Sequence, residues 1–189
     1  MFKKILLALG FIVSVSAQAA TMEDVVRNIN SAITTDAAVR SPFDFKVGDT
    51  ASYKVQMGFI PGTMDMVVKA VTADEVTINQ TVAIMGQNQV CVQVINPNTG
   101  EIKSLTCNGQ AQDTGSASDI EVIEQKEDTV TVPAGTFTCL YIKAKQKTST
   151  DEIEQWINPS EIPVFGMAKS TSPSQMGKVV IELTSFKKM

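Results

Sequence analysis

From Asp44 to the C-terminus, polar and apolar residues alternate with a period of two, and turn-forming residues interrupt the pattern at short intervals. The runs "TASYKV" from Thr50 and "VTINQTVAI" from Val76 are examples. A period of two places neighbouring side chains on opposite faces of an extended strand, and short turns favour antiparallel pairing. Strands do not alternate with helices here, which disfavours a parallel α/β fold. The pattern predicts a mainly β domain.

Turn signals divide this region into about eight to ten strands. A strand over 50–59 is followed by two within 61–84, and a hairpin over 90–107 turns at Pro97–Gly100. Further strands are predicted over the following ranges: 120–124, 129–132, 137–147, 152–157 and 178–186. Because a sheet of this size twists strongly, we expect it to curve or to form a half-barrel.

A helix is predicted ahead of the sheet, over about 22–39. Thr21 can cap it, and Pro42 follows its end. Its apolar residues recur every three or four positions and form one stripe: Met22, Val25, Val26, Ile29 and Ile33. Such a stripe must pack on something, so we expect an α+β fold in which the curved sheet wraps around this single N-terminal helix.

The first 19 residues have the pattern of a secretory signal peptide. Lys3 and Lys4 precede an apolar run over 5–15, and Ala17-Gln18-Ala19 resembles a cleavage site. The alternative is a membrane anchor, but the run is much shorter than the roughly 20 residues that span a bilayer. We therefore expect cleavage after Ala19, a periplasmic or secreted location, a single domain over 20–189, and no transmembrane segment in the mature chain.

The composition excludes several classes of function. The chain has no histidine, which rules out Ser-His and Cys-His nucleophiles and the usual imidazole zinc sites. No phosphate-binding glycine loop is present, and a net charge of −4 disfavours a nucleic-acid partner. The carboxylates of 121–128 and 151–154 lie in polar runs typical of solvated strand faces. We therefore expect no enzyme activity, no catalytic residues, no cofactor and no metal.

Several stretches resemble a module of uncharacterised exported bacterial proteins. They are "VGDTASYKV" at the start of the sheet and, in the C-terminal third, "VPAGTFTCLYIKA", "EQWINPSEIPVFGMAKSTS" and "GKVVIELTSF". The resemblance covers residues 44–60 and 129–186. Those proteins are similar in fold to the half-barrel of periplasmic lipoprotein carriers and their receptors, the LolA/LolB-like class. The resemblance implies that fold, with a concave face that could hold a lipid.

An apolar loop and a group of methionines are the candidate ligand site. The segment "EIPVFGMAKS" must either cover one end of the sheet as a lid or form one wall of a ligand groove. Methionine lines adaptable apolar surfaces well, and a copper site is a weaker alternative because no histidine or cysteine pair accompanies it. The candidate groove or lid residues are Met57, Phe59, Met64, Met66, Trp156, Ile162, Val164, Phe165 and Met167.

Three cysteines in an oxidising compartment allow one disulfide. Cys91 and Cys107 flank the predicted hairpin. They oppose each other if the loop is Asn98–Gly100, but they point to opposite faces if the loop is Pro97–Gly100. A pairing of either cysteine with Cys139 is the alternative. We expect the Cys91–Cys107 bond, with Cys139 as a small buried residue.

Two functions remain open. In the first, an exported protein binds an apolar ligand, which is a lipid, an acyl chain or a lipoprotein segment, on the concave face of its sheet. In the second, an envelope-associated structural or interaction protein has a filled core and no ligand. The protein partner that the second function requires is not indicated by the sequence.

Overall fold

The computed structural model describes residues 43–98, 102–111, 120–146, 151–174 and 177–189. Regular structure within these ranges consists of β-strands. They are β1 (Thr50–Met57), β2 (Ile60–Val71), β3 (Val76–Ile84), β4 (Gln87–Ile95), β5 (Ile102–Cys107), β6 (Gln110–Ala111), β7 (Ile120–Val132), β8 (Gly135–Gln146), β9 (Glu152–Ile157), β10 (Met167–Ser174) and β11 (Gly177–Lys187). The predicted signal peptide (1–19) and helix (22–39) lie outside the described residues.

All eleven strands belong to one antiparallel sheet in the order β6-β5-β4-β3-β2-β1-β11-β10-β9-β8-β7. Two meanders, β1–β6 and β7–β11, are joined by the long-range pair of β1 with β11. The sheet is open, and β6 and β7 are its edges. The prediction of a mainly β, antiparallel fold is confirmed, with eleven strands in place of the expected eight to ten.

Three elements differ from the prediction. Strand β10 begins within the segment of 161–170, which was expected to be an apolar loop, and no strand was predicted where the short β6 forms. The strands predicted over 120–124 and 129–132 are one strand, β7, with a bulge between Val122 and Glu124. The charges of β7 resemble a polar turn in the sequence, but an edge strand accommodates charges readily.

The β7 end of the sheet coils back on itself. In a flat sheet, β7 and β11 would be about 19 Å apart, because neighbouring strands are about 4.8 Å apart. Instead β7 contacts both β10 and β11. The Ala134 N–H, in the β7–β8 turn, donates a hydrogen bond to the Leu183 carbonyl at 3.1 Å. The rings of Phe137 and Phe186 are 6.1 Å apart, so side chains of β8 and β11 also meet.

Residues 112–119 join the two edges of the sheet, and their length limits its shape. A connection of this length reaches at most about 32 Å. A flat sheet of eleven strands would separate its edges by about 48 Å. Chain connectivity therefore excludes a flat sheet, and the coiling at the β7 end brings the two edges closer together.

Alternate residues of β1–β5 form one buried face, which carries a large part of the hydrophobic core. The strand registers place its members side by side, and the opposite side chains of the same strands are largely exposed. The buried face consists of Ala51, Tyr53, Val55, Met64, Met66, Val68, Val76, Ile78, Gln80, Cys91, Gln93, Ile95, Leu105 and Cys107.

Candidate functional site

The structure places six of the nine candidate groove or lid residues in the hydrophobic core. Each of the six is at most 3% exposed, and all belong to one continuous cluster that includes the buried face: Met64, Met66, Ile162, Val164, Phe165 and Met167. Trp156 is half-buried and packs against this cluster. Met57 is half-buried at the end of β1, and Phe59 is fully exposed in the β1–β2 turn.

The loop of 158–166 closes one end of the core, and Asn158 organises it. The Asn158 side-chain amide donates to the Thr138 carbonyl at 3.0 Å and to Glu161 at 2.7 Å. Its carbonyl oxygen accepts bonds from the Ser160 hydroxyl and the Glu161 N–H. Because the loop's polar groups are bonded to each other, its apolar residues can face inward. Phe165 packs there in an edge contact with the Phe43 ring, 6.2 Å away.

Three buried side chains carry polar atoms that have no hydrogen-bond partner. The Tyr53 hydroxyl, the Gln93 amide nitrogen and both polar atoms of the Gln155 amide have no partner. Each residue is at most 2% exposed, and burial raises the pKa of Tyr53. An unpartnered buried polar group costs about 1–3 kcal/mol, so native proteins rarely keep several.

The strand registers place these three side chains on the same face of the sheet. Gln93 pairs with Ile78 of the buried face. Gln155 pairs with Ser170 and, across two further strands, aligns with Val55, which is on the face that carries Tyr53. Cross-strand partners share a face, so the three side chains are on the same side of the sheet. Gln155 also pairs with Ile142 of β8, which belongs to a second hydrophobic cluster of Ile142, Ile153 and Ile157, separate from the cluster that contains Tyr53.

A polar cleft of about 570 Å³ lies at the ends of β9–β11. Glu154, at its centre, accepts hydrogen bonds from the Thr171 hydroxyl at 2.8 Å and the Tyr141 hydroxyl at 3.0 Å. The bond from Thr171, together with that from Tyr141, holds the pKa of Glu154 below its usual range. The cleft is lined by Asp151, Glu152, Glu154, Thr171, Ser172, Pro173, Gly177 and Lys178.

Charged and aromatic side chains continue from this cleft across β7–β11. The Trp156 indole N–H donates to Asp128 at 2.8 Å, a bond that lowers the pKa of Asp128. Glu182 accepts ion pairs from Lys54 at 2.7 Å and Lys169 at 2.9 Å. Among the described carboxyl groups, every resolved pKa shift is downward, which favours the ionised form. The arrangement ties neighbouring strands together through charge-assisted hydrogen bonds.

The cysteines adopt the expected arrangement. Cys91 and Cys107 are directly opposed on β4 and β5 and form a disulfide, and a register shift between Val94 and Ile95 separates this pair from the turn of the hairpin. Cys139 is a buried free thiol. In the part of the chain that the structure describes, no group of three or more cysteine or carboxylate side chains is placed to hold a metal ion.

No protein-family model matches the chain, and no curated protein matches it. Solved structures do. A Bacteroides fragilis protein, described as exported with a YmcC-like fold, is 15% identical, with a TM-score of 0.45 over 77% of this chain and 98% of that one. A hypothetical protein of Chlamydia trachomatis is 9% identical, with a TM-score of 0.49 over 75% of this chain and 87% of that one.

A lipoprotein of Parabacteroides distasonis is 12% identical, with a TM-score of 0.41 over 80% of this chain and 100% of that one. At these identities and TM-scores, the matches define neither a family nor an activity for this chain. The resemblance to the LolA/LolB-like class stays a prediction. No helix among the described residues has the length and apolarity needed to cross a membrane.

The buried glutamines were not among the residues that the sequence predicted as a site, although a signal for them exists. In "VCVQVI", alternation places Gln93 on the same face as Cys91 and Ile95. An amide between two core positions indicates a buried polar group. The same alternation places Tyr53 between Ala51 and Val55, and Gln155 between Ile153 and Ile157.

Proposed function

We propose that this protein is an exported, non-enzymatic binding protein whose ligand lies against the concave, buried face of its sheet. The ligand is an apolar molecule, such as an acyl chain or a lipoprotein segment, that also carries neutral hydrogen-bonding groups. The signal-peptide pattern of 1–19 supports export. The proposal includes the predicted half-barrel, in which the curved sheet would surround the helix of 22–39 in the absence of ligand.

The observation that carries the proposal is the set of unpartnered polar atoms of Tyr53, Gln93 and Gln155. A hydroxyl and two amides can donate to and accept from an ester or amide group of a ligand. Among the buried described residues only Asp49 is charged, and its carboxylate is bonded to the N–H groups of Lys46 and Met189. A neutral polar group therefore suits this interior better than a charged one.

A second candidate is an envelope interaction protein whose core is complete without a ligand. It is favoured by the near-complete burial of the six candidate residues in the core cluster. In that case the unpartnered amides would be a tolerated cost, and the protein would act through its surface.

Substitution of the glutamines by leucine separates the two candidates. Gln93→Leu and Gln155→Leu keep the side-chain size and remove the unpartnered amides, so both should raise the free energy of unfolding of the ligand-free protein by about 1–2 kcal/mol. If the amides bind a ligand, the same variants should lower the affinity for an amide- or ester-containing apolar dye. Gln89→Leu, at an exposed position of the same strand, is the matched control.

Urea denaturation gives the stability, and fluorescence titration gives the dye affinity. Higher stability with weaker dye binding supports the binding protein. Higher stability with unchanged dye binding, or no dye binding by the wild type, supports the filled-core protein instead.

A further inference from the structure

Three two-residue turns lie in a row along one end of β1–β6, and we call this end the turn rim. Each turn directly connects two paired residues, so each is a tight β-hairpin loop. The turns are Gly58–Phe59, Met85–Gly86 and Asn108–Gly109.

Met85 occupies a backbone conformation that methionine disfavours. The φ of Met85 is 54° and the φ of Gly86 is 75°. Two positive φ values in succession are characteristic of a type I′ hairpin turn. Asn108 and Gly109 have nearly the same values, 49° and 78°, and they are the residue types that this turn prefers. Met85 therefore stands where asparagine fits better, which points to a use for its side chain.

Two of the three turns carry a large apolar side chain, and both of these side chains are exposed to solvent. Phe59 is 101% exposed and Met85 is 75% exposed, more than any other large apolar residue in the described ranges. Both lie on tight turns whose backbone is fixed, so neither can fold back into the core. Isolated exposed apolar residues are common on protein surfaces, but here the two most exposed share one rim.

The register shows that the two apolar turns are also the two that project furthest. Ile84 pairs with Gly62, so β1 and β2 extend two residues, or about 7 Å, beyond the β3–β4 turn. Cys107 pairs with Cys91, which is four residues from Gln87, the first residue of β4. The β5–β6 turn therefore lies about 13 Å short of the β3–β4 turn. The recessed turn keeps the preferred Asn-Gly pair, whereas the projecting turns carry Phe59 and Met85.

The chain around the apolar turns carries no charge. The sequence has no charged residue between Lys54 and Asp65 and none between Glu75 and Glu101. The nearest charged residue across the sheet is on β11, where the Lys178 carbonyl accepts a hydrogen bond from the Gly58 N–H. The ammonium group of Lys178 lies 3.8 Å from the Glu154 carboxylate, which balances its charge. Amide side chains flank the tips instead, among them Gln56, Gln87, Asn88 and Gln89.

We propose that the turn rim docks on a lipid bilayer by inserting Phe59 and Met85 into the interfacial region. Two apolar tips present too little area for a stable protein interface, which buries about 800 Å² per partner. Shallow insertion of a few apolar side chains gives weak, reversible membrane binding, and amide groups are accommodated among the lipid headgroups. Because the rim is uncharged, binding depends on apolar contact and not on lipid charge.

Vesicle flotation of the mature protein tests the proposal. The wild type should float with phosphatidylcholine vesicles, equally well in low and high salt and with or without phosphatidylglycerol. The double variant Phe59→Ser/Met85→Asn should lower the partition coefficient at least about tenfold. Met85→Asn restores the preferred turn residue, so this change should not unfold the protein. Val47→Thr is the control, since Val47 is exposed but precedes β1 at the opposite end.

A fluorescent label shows which end meets the membrane. With an environment-sensitive dye on Phe59→Cys, vesicles should shift the emission to the blue, whereas the dye on Val47→Cys should not respond. The proposal is overturned if the wild type does not float, if the double variant floats equally well, or if binding requires anionic lipid and is lost in high salt. Self-association that depends on Phe59 without vesicle binding would identify a protein-binding surface and would overturn it as well.

Discussion

Gly166 sits where the loop of 158–166 approaches itself most closely. A Cβ atom at this position would lie 2.7 Å from both the nitrogen and the Cα of Pro159. Its φ of 68° is also in the left-handed region that favours glycine. Both the close contact with Pro159 and the left-handed backbone conformation therefore favour glycine at this position. Gly86 has a similar φ of 75°, but nothing lies within 4 Å of its missing Cβ, so it has only one of them.

Comparing alanine at the two glycines separates backbone strain from steric overlap. Gly86→Ala should lower the free energy of unfolding by about 1 kcal/mol, because only the left-handed conformation is penalised. Gly166→Ala should lower it by about 3 kcal/mol, since the overlap with Pro159 adds to the strain. Urea denaturation of both variants measures the difference. Equal losses would show that the loop can move away from Pro159.

The thiol of Cys139 should make the protein less stable at alkaline pH. Burial, reinforced by the nearby carboxylates of Glu161 and Asp128, raises its pKa from 9.0 to about 11. The unfolded chain loses this proton first, so stability is complete below pH 9.0 and falls as the pH rises towards about 11.

The expected loss is about 2 kcal/mol. The contribution of Cys139 is the difference in pH dependence between the wild type and Cys139→Ala, measured by chemical denaturation across this range. Tyr53 and Tyr141, whose pKa values are also raised, remain in both proteins and cancel in the comparison. Parallel stability curves would contradict the assignment to Cys139.

At the scale of elements, the disulfide secures the end of the sheet that has least to pack against. Among the strands that the structure describes, the two-residue β6 follows β5 and is the open edge. The Cys91–Cys107 bond joins two residues that are 16 positions apart and cross-links β4 to β5. The bond therefore holds the outer hairpin against the rest of the buried face.

Removal of this disulfide by Cys91→Ala/Cys107→Ala should lower the free energy of unfolding by about 3 kcal/mol, because the unfolded chain regains the entropy of an open loop. Hydrogen exchange should accelerate in β5 and β6 first, while β1 and β11 stay protected. Cys139→Ala, which leaves the bond intact, is the control. Uniform acceleration across the sheet would argue that the hairpin is not a separate unit of stability.

Local patterns predicted the strands well where polar and apolar residues alternate between clear turns. The bounds of β9 follow from such a pattern. The opposition of Cys91 and Cys107 depends on a register shift between Val94 and Ile95, which the alternation does not reveal. Strand β10 was missed because it follows directly on the apolar segment of 162–168, where no alternation marks its beginning. The pairing of β1 with β11 could not be predicted from local patterns, because it joins residues more than a hundred positions apart.

The candidate site shows the same limit. Sequence reasoning selected apolar residues, and six of them do come together in the core. Alternation places Tyr53 and Gln155 between apolar residues of their own strands. Whether their polar atoms find hydrogen-bond partners depends on the distant strands that lie beside them, which local patterns do not show.

At the scale of the whole molecule, one curved sheet presents three different surfaces. One face carries Tyr53 and Gln93 among core residues of β1–β5, and Gln155 lies on the same side of the sheet beside Ile142. Hydrogen bonds from Tyr141 and Thr171 to Glu154 link β8, β9 and β10, and the ion pairs of Glu182 link β1, β10 and β11. The turn rim carries the two exposed apolar tips. A protein that receives an apolar ligand near a membrane would use both the face with the unpartnered polar groups and the turn rim. The two proposals are independent, because each is tested by its own variants.

Native mass spectrometry of the mature protein, purified gently from the envelope, tests the central claim most directly. We expect a non-covalent mass above that of the polypeptide, lost on denaturation, retained in Phe59→Ser/Met85→Asn and diminished in Gln93→Leu/Gln155→Leu. A wild-type protein that carries no additional mass, with both glutamine variants unchanged, would contradict the claim that the concave face binds a ligand.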